Sequence, residues 1–518
     1  MHLFSRKSKF YLFTFLKHDL KAGITVFFVA LPLCLGISLA SGAPVYSGLV
    51  AGIIGGIVVA SISGSQLSVS GPAAGLTAVC AAAIVDMGSI ELFFLAVMLA
   101  GVLQILLGAF KLGGFTHLIP SSVIKGMLAA IGIILISKQI PLIIGYNQPD
   151  FWRNELFNIL TFDHAFQHID NLYHSISTGA ILVSIFSLLV LISWKRWVAS
   201  KLPLISTSFV TVISGSLLAI LFNNSELLRL DPQQFVSIPQ NIFDSIKFPS
   251  FNGIFETVHV WKYAIIIAVI ASLETLLSLE AVDKLDPQNR ITPQNRELIA
   301  QGTGNIISGI LGGLPITAVI VRGSANAEAG ARTRLSAITH GIWLLVILII
   351  AIPIVNSIPY CVLAVILIRT GYNLAKPAMI RSVYKQGREQ FMPFIISVIA
   401  ILFTDLLIGV LIGIAYSLYF LVRHTYRAGF VMKEQPEGHL THYTMELALN
   451  VSFLNKKRIK QTLDKIPNYS VVEIIGTDSV YIDHDILEII QEYKTKARNK
   501  HIQLILKNVP EVEVIELH

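Results

Sequence analysis

The sequence predicts an all-α polytopic membrane protein, with about fourteen membrane segments in a 7+7 inverted repeat containing two half-helices, followed by a small α/β cytoplasmic domain. Three observations carry this expectation. Of 518 residues, 54% are hydrophobic and only 14% are charged, whereas a soluble domain carries about 25% charged residues. Apolar runs recur, as at 23–39, 181–192, 263–279 and 342–354, each supplying much of the roughly 20 residues needed to cross a hydrocarbon core. Finally, short segments broken by glycine and proline recur in the two halves of the apolar region.

Taken in order, hydrophobicity and helix-ending loops place segments near 23–40, 46–63, 72–85, 92–110, 122–140, 176–193 and 204–222. In the second half they fall near 261–279, 296–311, 317–328, 336–354, 361–374, 391–404 and 407–421. The third and tenth are short. The basic, amphipathic start (Arg6, Lys7, Lys9, Lys17) leads into an apolar run too long for a cleavable signal peptide and without a small-residue cleavage site.

Loop charges orient the map. The loops on the N-terminal side hold Lys195, Arg196 and Lys201, then Lys284, Arg290 and Arg296, then Arg332 and Arg334, then Lys376, Arg381, Lys385 and Arg388. The opposite loops hold Arg153, Arg229 and Lys247 among Asp150, Glu155, Asp163, Asp170, Asp231 and Asp244. Basic residues gather on the cytoplasmic side of membrane proteins, so both termini are expected to be cytoplasmic, in a cell membrane. Shifting the count by one span would invert the pattern.

An internal repeat accompanies the map. Ile119-Pro120-Ser121-Ser122-Val123 leads to Gly132, and Ile358-Pro359-Tyr360-Cys361-Val362 leads to Gly371 across the same gap. Upstream of each lies a break, Gly71-Pro72 in one half and Gly313 with Pro315 in the other. Seven spans per half is odd, so the second copy enters the membrane upside down. Corresponding broken segments in inverted halves point to a transporter's binding site.

After residue 422 the composition changes to a charged linker and a soluble α/β unit. Strands are expected at 444–451, 471–475 and 502–506, with helices at 456–464 and 485–496. The domain plan is therefore 1–18, an N-terminal cytoplasmic segment; 19–223, the first repeat; 224–260, an outer connection; 261–424, the second repeat; 425–441, a linker; and 442–518, the tail domain.

Few residues carry candidate chemistry. Breaks at Gly71, Pro72, Gly313 and Pro315 free backbone groups that lipid cannot satisfy, which is tolerated only where protein or a wet cavity re-satisfies them. A half-helix starting after each break would aim its unpaired N–H groups and positive dipole end at mid-membrane, making an anion site. The alternative is a pair of packing kinks. Glu274 lies mid-span, where a carboxylate costs on the order of 3 kcal/mol by insertion scales. It reads as a proton-coupling carboxyl or a cation ligand, the alternative being a structural hydrogen bond. Arg322 can pair with Glu274 or present positive charge to an anion; otherwise it snorkels to the inner face. His340 and Asp405 have no partner legible in sequence and read as structural.

Cys34, Cys80 and Cys361 lie in apolar segments without CxxC or Cys/His spacing, so buried reduced thiols are expected and no metal or cofactor. The net charge of +7 sits in loops and tail without interleaved aromatics, which excludes a nucleic-acid surface. No catalytic set is apparent, so an enzyme is not expected.

These residues resemble the sulfate-permease (SulP) family of anion transporters over nearly the whole chain. The most specific stretches are Asp19-Leu20-Lys21-Ala22-Gly23-Ile24-Thr25-Val26 with Leu31-Pro32, Ser70-Gly71-Pro72-Ala73-Ala74, and Pro120-Ser121-Ser122-Val123-Ile124-Lys125-Gly126. Gly312-Gly313-Leu314-Pro315-Ile316-Thr317 and the run from Arg322 through Ser336 complete it. The resemblance implies a core moving against a gate domain, with an anion held between the third and tenth helices against the first and eighth. On this chain that points to Ala73, Ala74, Gly75, Thr317, Ala318, Val321 and Arg322 for the substrate, and to Glu274 for the coupling ion. It also implies a homodimer. The tail resembles the STAS domain, with Val480-Tyr481-Ile482-Asp483 at its I-D motif.

Three departures mark this chain. Leu33 stands where some relatives have glutamine and Val321 where relatives often have serine, which makes the pocket more apolar. Asp485 stands where some relatives carry a phosphorylated serine. The expected function is secondary transport of a small inorganic anion, sulfate or bicarbonate, coupled to H+ by symport. Sodium coupling, anion exchange, a channel and nucleobase-type transport are the alternatives.

Overall fold

Local signals set the start of several elements. The computed structural model describes residues 14–114, 120–145, 176–198, 205–239, 246–251, 258–404, 406–427, 429–437 and 440–511. Arg6, Lys7, Lys9, Ile119, Lys201, Asp405 and the loop residues Asp150, Arg153, Glu155, Asp163, Asp170 and Asp244 lie outside them. Helix α1 (Leu16–Ala40) is followed by α2 (Val45–Ile62), which contains a π turn at Gly55–Val59. Then come a short strand β1 (Ser70–Pro72), a 3-10 turn (Ala74–Leu76) and α3 (Thr77–Met87). Helix α4 (Ile90–Ala109) begins at Ser89, whose side chain accepts the Leu92 N–H, as an N-cap serine does. Pro120 starts α5 (Ser121–Ile144), and Ser177 and Ser206 cap α6 (Thr178–Ser193) and α7 (Thr207–Phe222).

The second half repeats the order. Helices α8 (Val258–Asp283) and α9 (Gln294–Ile310) precede strand β2 (Ile316–Ala318) and α10 (Ile320–Glu328). Then follow α11 (Leu335–Ile350) with a further turn at Ile352–Asn356, α12 (Tyr360–Leu374) started by Pro359, α13 (Arg388–Phe403) and α14 (Leu406–Arg427). Each of the segments expected from sequence thus contains a helix. Among the described residues, 6 helices are long and apolar enough to cross a membrane.

Some elements were not anticipated. An amphipathic helix, Pro377–Lys385, occupies what reads in sequence as a basic loop. More consequentially, the chain on either side of the breaks is extended, and β1 pairs antiparallel with β2: Ser70 with Ala318, Gly71 with Thr317, Pro72 with Ile316. Pro72 therefore closes its strand while Pro315 precedes its own, and the two prolines are not equivalent in register.

The two halves interlock. Helix α4 of the first half packs on α8 and α9 of the second, and α11 of the second packs on α1 and α2 of the first. This exchange is what a pseudo-twofold relation between inverted halves produces. Helices α5 and α12 also face each other, and the glycines singled out by the repeat meet there. A Cβ on Gly132 would lie 2.5 Å from the Gly371 carbonyl, and one on Gly371 2.7 Å from that of Gly132. Small residues let helices approach this closely where lipid supplies no hydrophobic drive.

The described residues fall into two compact units, one within 1–387 and 394–412, the other within 388–393 and 413–518. In the second, β3 (Phe430–Glu437) and β4 (Leu440–Leu447) are antiparallel, and β3 takes up part of the stretch read as linker. Next come β5 (Asn450–Val451), α15 (Lys456–Asp464), β6 (Val471–Ile475), β7 (Tyr481–Ile482), α16 (His484–Asn499) and β8 (Gln503–Lys507). The main sheet runs β3-β4-β6-β8, with the β4-β6 and β6-β8 pairs parallel. Parallel neighbours need crossovers that cover a sheet face, and α15 and α16 place Ile459, Leu463, Ile486 and Ile490 in one core with Met445, Val472 and Ile474. This is the small α/β unit expected of a STAS-like tail.

Candidate functional site

The strand pair is held by polar side chains spaced along helix faces. Asn305 on α9 brackets Ile316, accepting its N–H at 2.6 Å and donating to its carbonyl at 3.1 Å. Asn305 also donates to Gln104 at 2.6 Å, and Gln104 in turn donates to Ser272. Thr275 on α8 accepts the Ala318 N–H at 3.1 Å, and Gln301 donates to Ser70 at 2.7 Å. The break is thereby satisfied internally, as hydrocarbon surroundings demand.

From this pair the chain leaves in two directions. After β1, extended Ala73 leads into the 3-10 turn and α3; after β2, extended Val319 leads into α10. The two helix starts carry different groups. At α3 the Gly75 N–H reaches the Glu274 carboxylate. A Cβ on Gly75 would lie 2.7 Å from Glu274 Oε2, so only glycine admits this approach. At α10 the fully buried Arg322 lies against Gly71, where a Cβ would collide with Nη1.

The sequence reading has both half-helix starts converging on an anion, and it offers an Arg322–Glu274 pair. The structure differs on both points. The α3 start is taken by a carboxylate of the protein itself. Arg322 instead donates through Nη2 to Cys34 Sγ on α1, at 3.3 Å. Among the described residues its Nε and Nη1 have no hydrogen-bond partner, and neither does Glu274 Oε2. Buried guanidinium and carboxylate groups left partly open each cost several kcal/mol if nothing else meets them.

What they meet is a cavity of about 70 Å³, several times the roughly 10–15 Å³ that one water requires. Glu274, Arg322, Ala74 and Val321 line it, with Leu33 and Ile37 from α1. Of the other expected residues, Ala73, Thr317 and Ala318 lie in or beside the strand pair and Gly75 beneath Glu274; they shape the site from behind. Thr317 Oγ1 is buried with no hydrogen-bond partner among the described residues. Gly313 and Pro315 approach β2, Leu314 between them donating to the Ser47 carbonyl at 3.2 Å.

Sequence reasoning missed several contributors. Met127 and Leu128 on α5 and Thr370 on α12 close the cavity from the other side. They are ordinary span residues whose only signal is their helix's place in the repeat. Cys34 read as a plain buried thiol. Asp19, inside a quoted motif but without a role, accepts the Arg332 and Thr333 N–H groups at 2.8 and 3.0 Å, anchoring the start of α1 to the loop after α10. His340 is buried, and its Nε2 has no partner among the described residues.

Comparison with known proteins gives one consistent result. The model of the Sulfate permease family matches residues 16–400. YvdB of Bacillus subtilis, named for sulfate transport, is 26% identical over 428 residues, covering 81% of this chain and 76% of its own. The bicarbonate transporter BicA of Picosynechococcus is 25% identical over 407 residues, covering 77% of this chain and 69% of its own. Among solved structures, murine Slc26a9 in the inward-facing state superposes with a TM-score of 0.74 at 15% identity, covering 95% of this chain and 85% of that one.

Proposed function

The chain belongs to the Sulfate permease family, a family of transporters rather than enzymes, and from that premise we propose that it is a secondary transporter of small inorganic anions. Its cargo in this reading is sulfate or bicarbonate, carried by alternating access with protons as the coupling ion. Both termini are cytoplasmic, and the working unit is a homodimer in the cell membrane. The observation that carries the reading is a single one. A buried guanidinium and a buried carboxylate, each with an unpartnered polar atom, face one small cavity where the two halves of the fold meet.

The arrangement supplies a coupling logic. Arg322 and the α10 start offer positive potential to an anion. The α3 start is held by Glu274 while that side chain is ionised. A proton on Glu274 removes the like charge beside the incoming anion and weakens the hold on the Gly75 N–H, which then becomes available to it. Proton and anion thus favour one another's binding, the reciprocity that symport requires.

The test is uptake into proteoliposomes, with sulfate, bicarbonate, chloride and dicarboxylates presented under imposed proton or sodium gradients. The expected result is accumulation of an oxyanion driven by an inward proton gradient. Glu274→Gln should abolish the gradient dependence while anion counterflow persists. Uptake driven by sodium and indifferent to protons would overturn the coupling assignment, and full uptake by Arg322→Ala would overturn the anion site.

A further inference from the structure

Helix α9 carries a buried polar row that reaches the chain around both breaks. Glu297, Gln301 and Asn305 are each fully buried and fall at i, i+4 and i+8, which puts them on one face of the helix. Asn305 holds β2 at Ile316, and Gln301 holds β1 at Ser70. Glu297, in the first turn of α9, is the charged member of the row. It does not line the Arg322 cavity, and transport at that cavity gives it no direct part.

The surroundings of Glu297 specify a carboxylate. Its Oε2 accepts the Ser63 hydroxyl, its Oε1 accepts a Gln301 amide N–H at 2.9 Å, and the Gly64 N–H also donates to the group. Donors thus meet both oxygens, and a glutamine would turn an NH2 toward one of them. The N-terminal end of α9 favours a negative charge, whereas the C-terminal end of α2 beside it does not. Two guanidiniums cover that second end. Arg296 Nε donates to the Ile62 carbonyl at 2.9 Å, and Arg334 Nη1 to the Ser61 and Ser63 carbonyls at 3.1 and 3.3 Å. A charge this buried is tolerated only with its hydrogen bonds kept, so it dictates which way the Gln301 amide turns.

Gln301 carries that orientation onward. Its Nε2 donates both to Glu297 and to Ser70 Oγ, the second at 2.7 Å. Ser70 opens β1, and both charged groups of the cavity lean on this strand or on the turn after it. Arg322 packs against Gly71, and Glu274 is met by the Gly75 N–H. Neither approach has slack, since a Cβ at either glycine would run into the side chain opposite. A displaced β1 would therefore disturb both charges together.

We propose that Glu297 is a positioning residue for the transport site: by fixing the Gln301 amide it holds β1 at Ser70, and so sets where Arg322 and the Gly75 N–H stand. The assignment rests on the transport reading above. Two measurements on the full chain test it, with Glu297→Ala, Gln301→Met and, as control, Ser65→Ala. The control removes a hydrogen bond to the Ser68 N–H in the same loop but lies off the route to Ser70. In detergent, hydrogen exchange across 70–76 should rise in the first two variants and stay at the wild-type level in Ser65→Ala. In proteoliposomes the first two should lower kcat/KM roughly tenfold and shift its pH profile in the same direction as Gly75→Ala. Combining Gln301→Met with Gly75→Ala should add little to either alone, because both act on one approach. Ser65→Ala should transport as wild type.

If Glu297→Ala does not fold, Gln301→Met decides, since it cuts the route and leaves the Ser63 and Gly64 hydrogen bonds in place. Unchanged exchange across 70–76 in a folded Gln301→Met protein, an unshifted pH profile, or losses that multiply with those of Gly75→Ala would overturn the proposal while wild-type uptake stands. Wild-type liposomes that take up no anion would remove the transport reading beneath it, and the exchange result would still judge the link from Glu297 to β1.

Discussion

Arg322 is the largest fully buried side chain of the described residues, and its only hydrogen bond among them goes to a thiol. A thiol is a weak acceptor that does not neutralise a guanidinium, so the charge stays available to a ligand. Cys34→Ser should preserve uptake, whereas Cys34→Asp should pair the guanidinium and suppress it at least tenfold; initial uptake rates decide this. On the other side of the cavity, Gly75→Ala would push a methyl group to 2.7 Å from Glu274 Oε2. That change should lower kcat/KM by at least tenfold and shift its pH dependence, since it displaces the carboxylate rather than the fold. Glu274 and Arg322 were legible in sequence because an ionisable residue inside an apolar run is conspicuous. The roles of Cys34, Met127 and Thr370 were not, because such residues occur throughout the spans.

At the scale of elements, the strands at the breaks stand on a buried polar ladder that crosses from α9 to α4 and α8. Asn305→Ala would leave the N–H and carbonyl of Ile316 without partners. At about 1–3 kcal/mol for each buried group left unmade, the variant should melt several degrees lower in detergent and lose uptake, measured by thermal unfolding. Asn305→Asp should retain part of the stability because it can still accept the Ile316 N–H. The loop between α8 and α9 makes a second case. Burial pushes the Asp286 carboxyl up, but its hydrogen bonds with Arg290 and the charge of that side chain outweigh this and leave it below the usual carboxylate range. Arg290 also reaches the Arg332 carbonyl at 3.0 Å, tying two loops together. A depressed carboxyl contributes stability above its unfolded pKa of about 3.9, and this contribution is lost as pH falls through the lower folded value. Hydrogen exchange across 284–293 should therefore rise only below about pH 4, and Arg290→Ala should show that raised exchange already at neutral pH.

For the whole molecule, the repeat explains why the chain cannot be divided at its midpoint. Helices α4 and α11 each pack on helices of the opposite half, so neither half buries its own polar ladder. The tail unit, by contrast, has its own core around Met445, Val472, Ile474 and Ile490. Ile474→Asp places an unpaired carboxylate in that core and should unfold the tail, seen by protease sensitivity after residue 428. Uptake should persist if the tail is accessory, as its separate core implies.

Sequence alone determined that this chain lives in a membrane, roughly where its apolar helices lie, where they are interrupted, and that an α/β unit follows. Those properties are written locally: hydrophobic length, cap residues and prolines act within a few residues of themselves. The 425–441 stretch shows the limit, since charge made it read as linker while β3 acquires its strand identity from pairing with β4. Only the tertiary structure decided that the two breaks pair as strands, that Glu274 occupies the start of α3, and that Arg322 turns to Cys34 instead of Glu274. Each of these joins residues from opposite halves of the chain or from helices far apart in sequence. A hydrogen bond forms where distance and angle allow, and that geometry exists only once the inverted halves have interlocked.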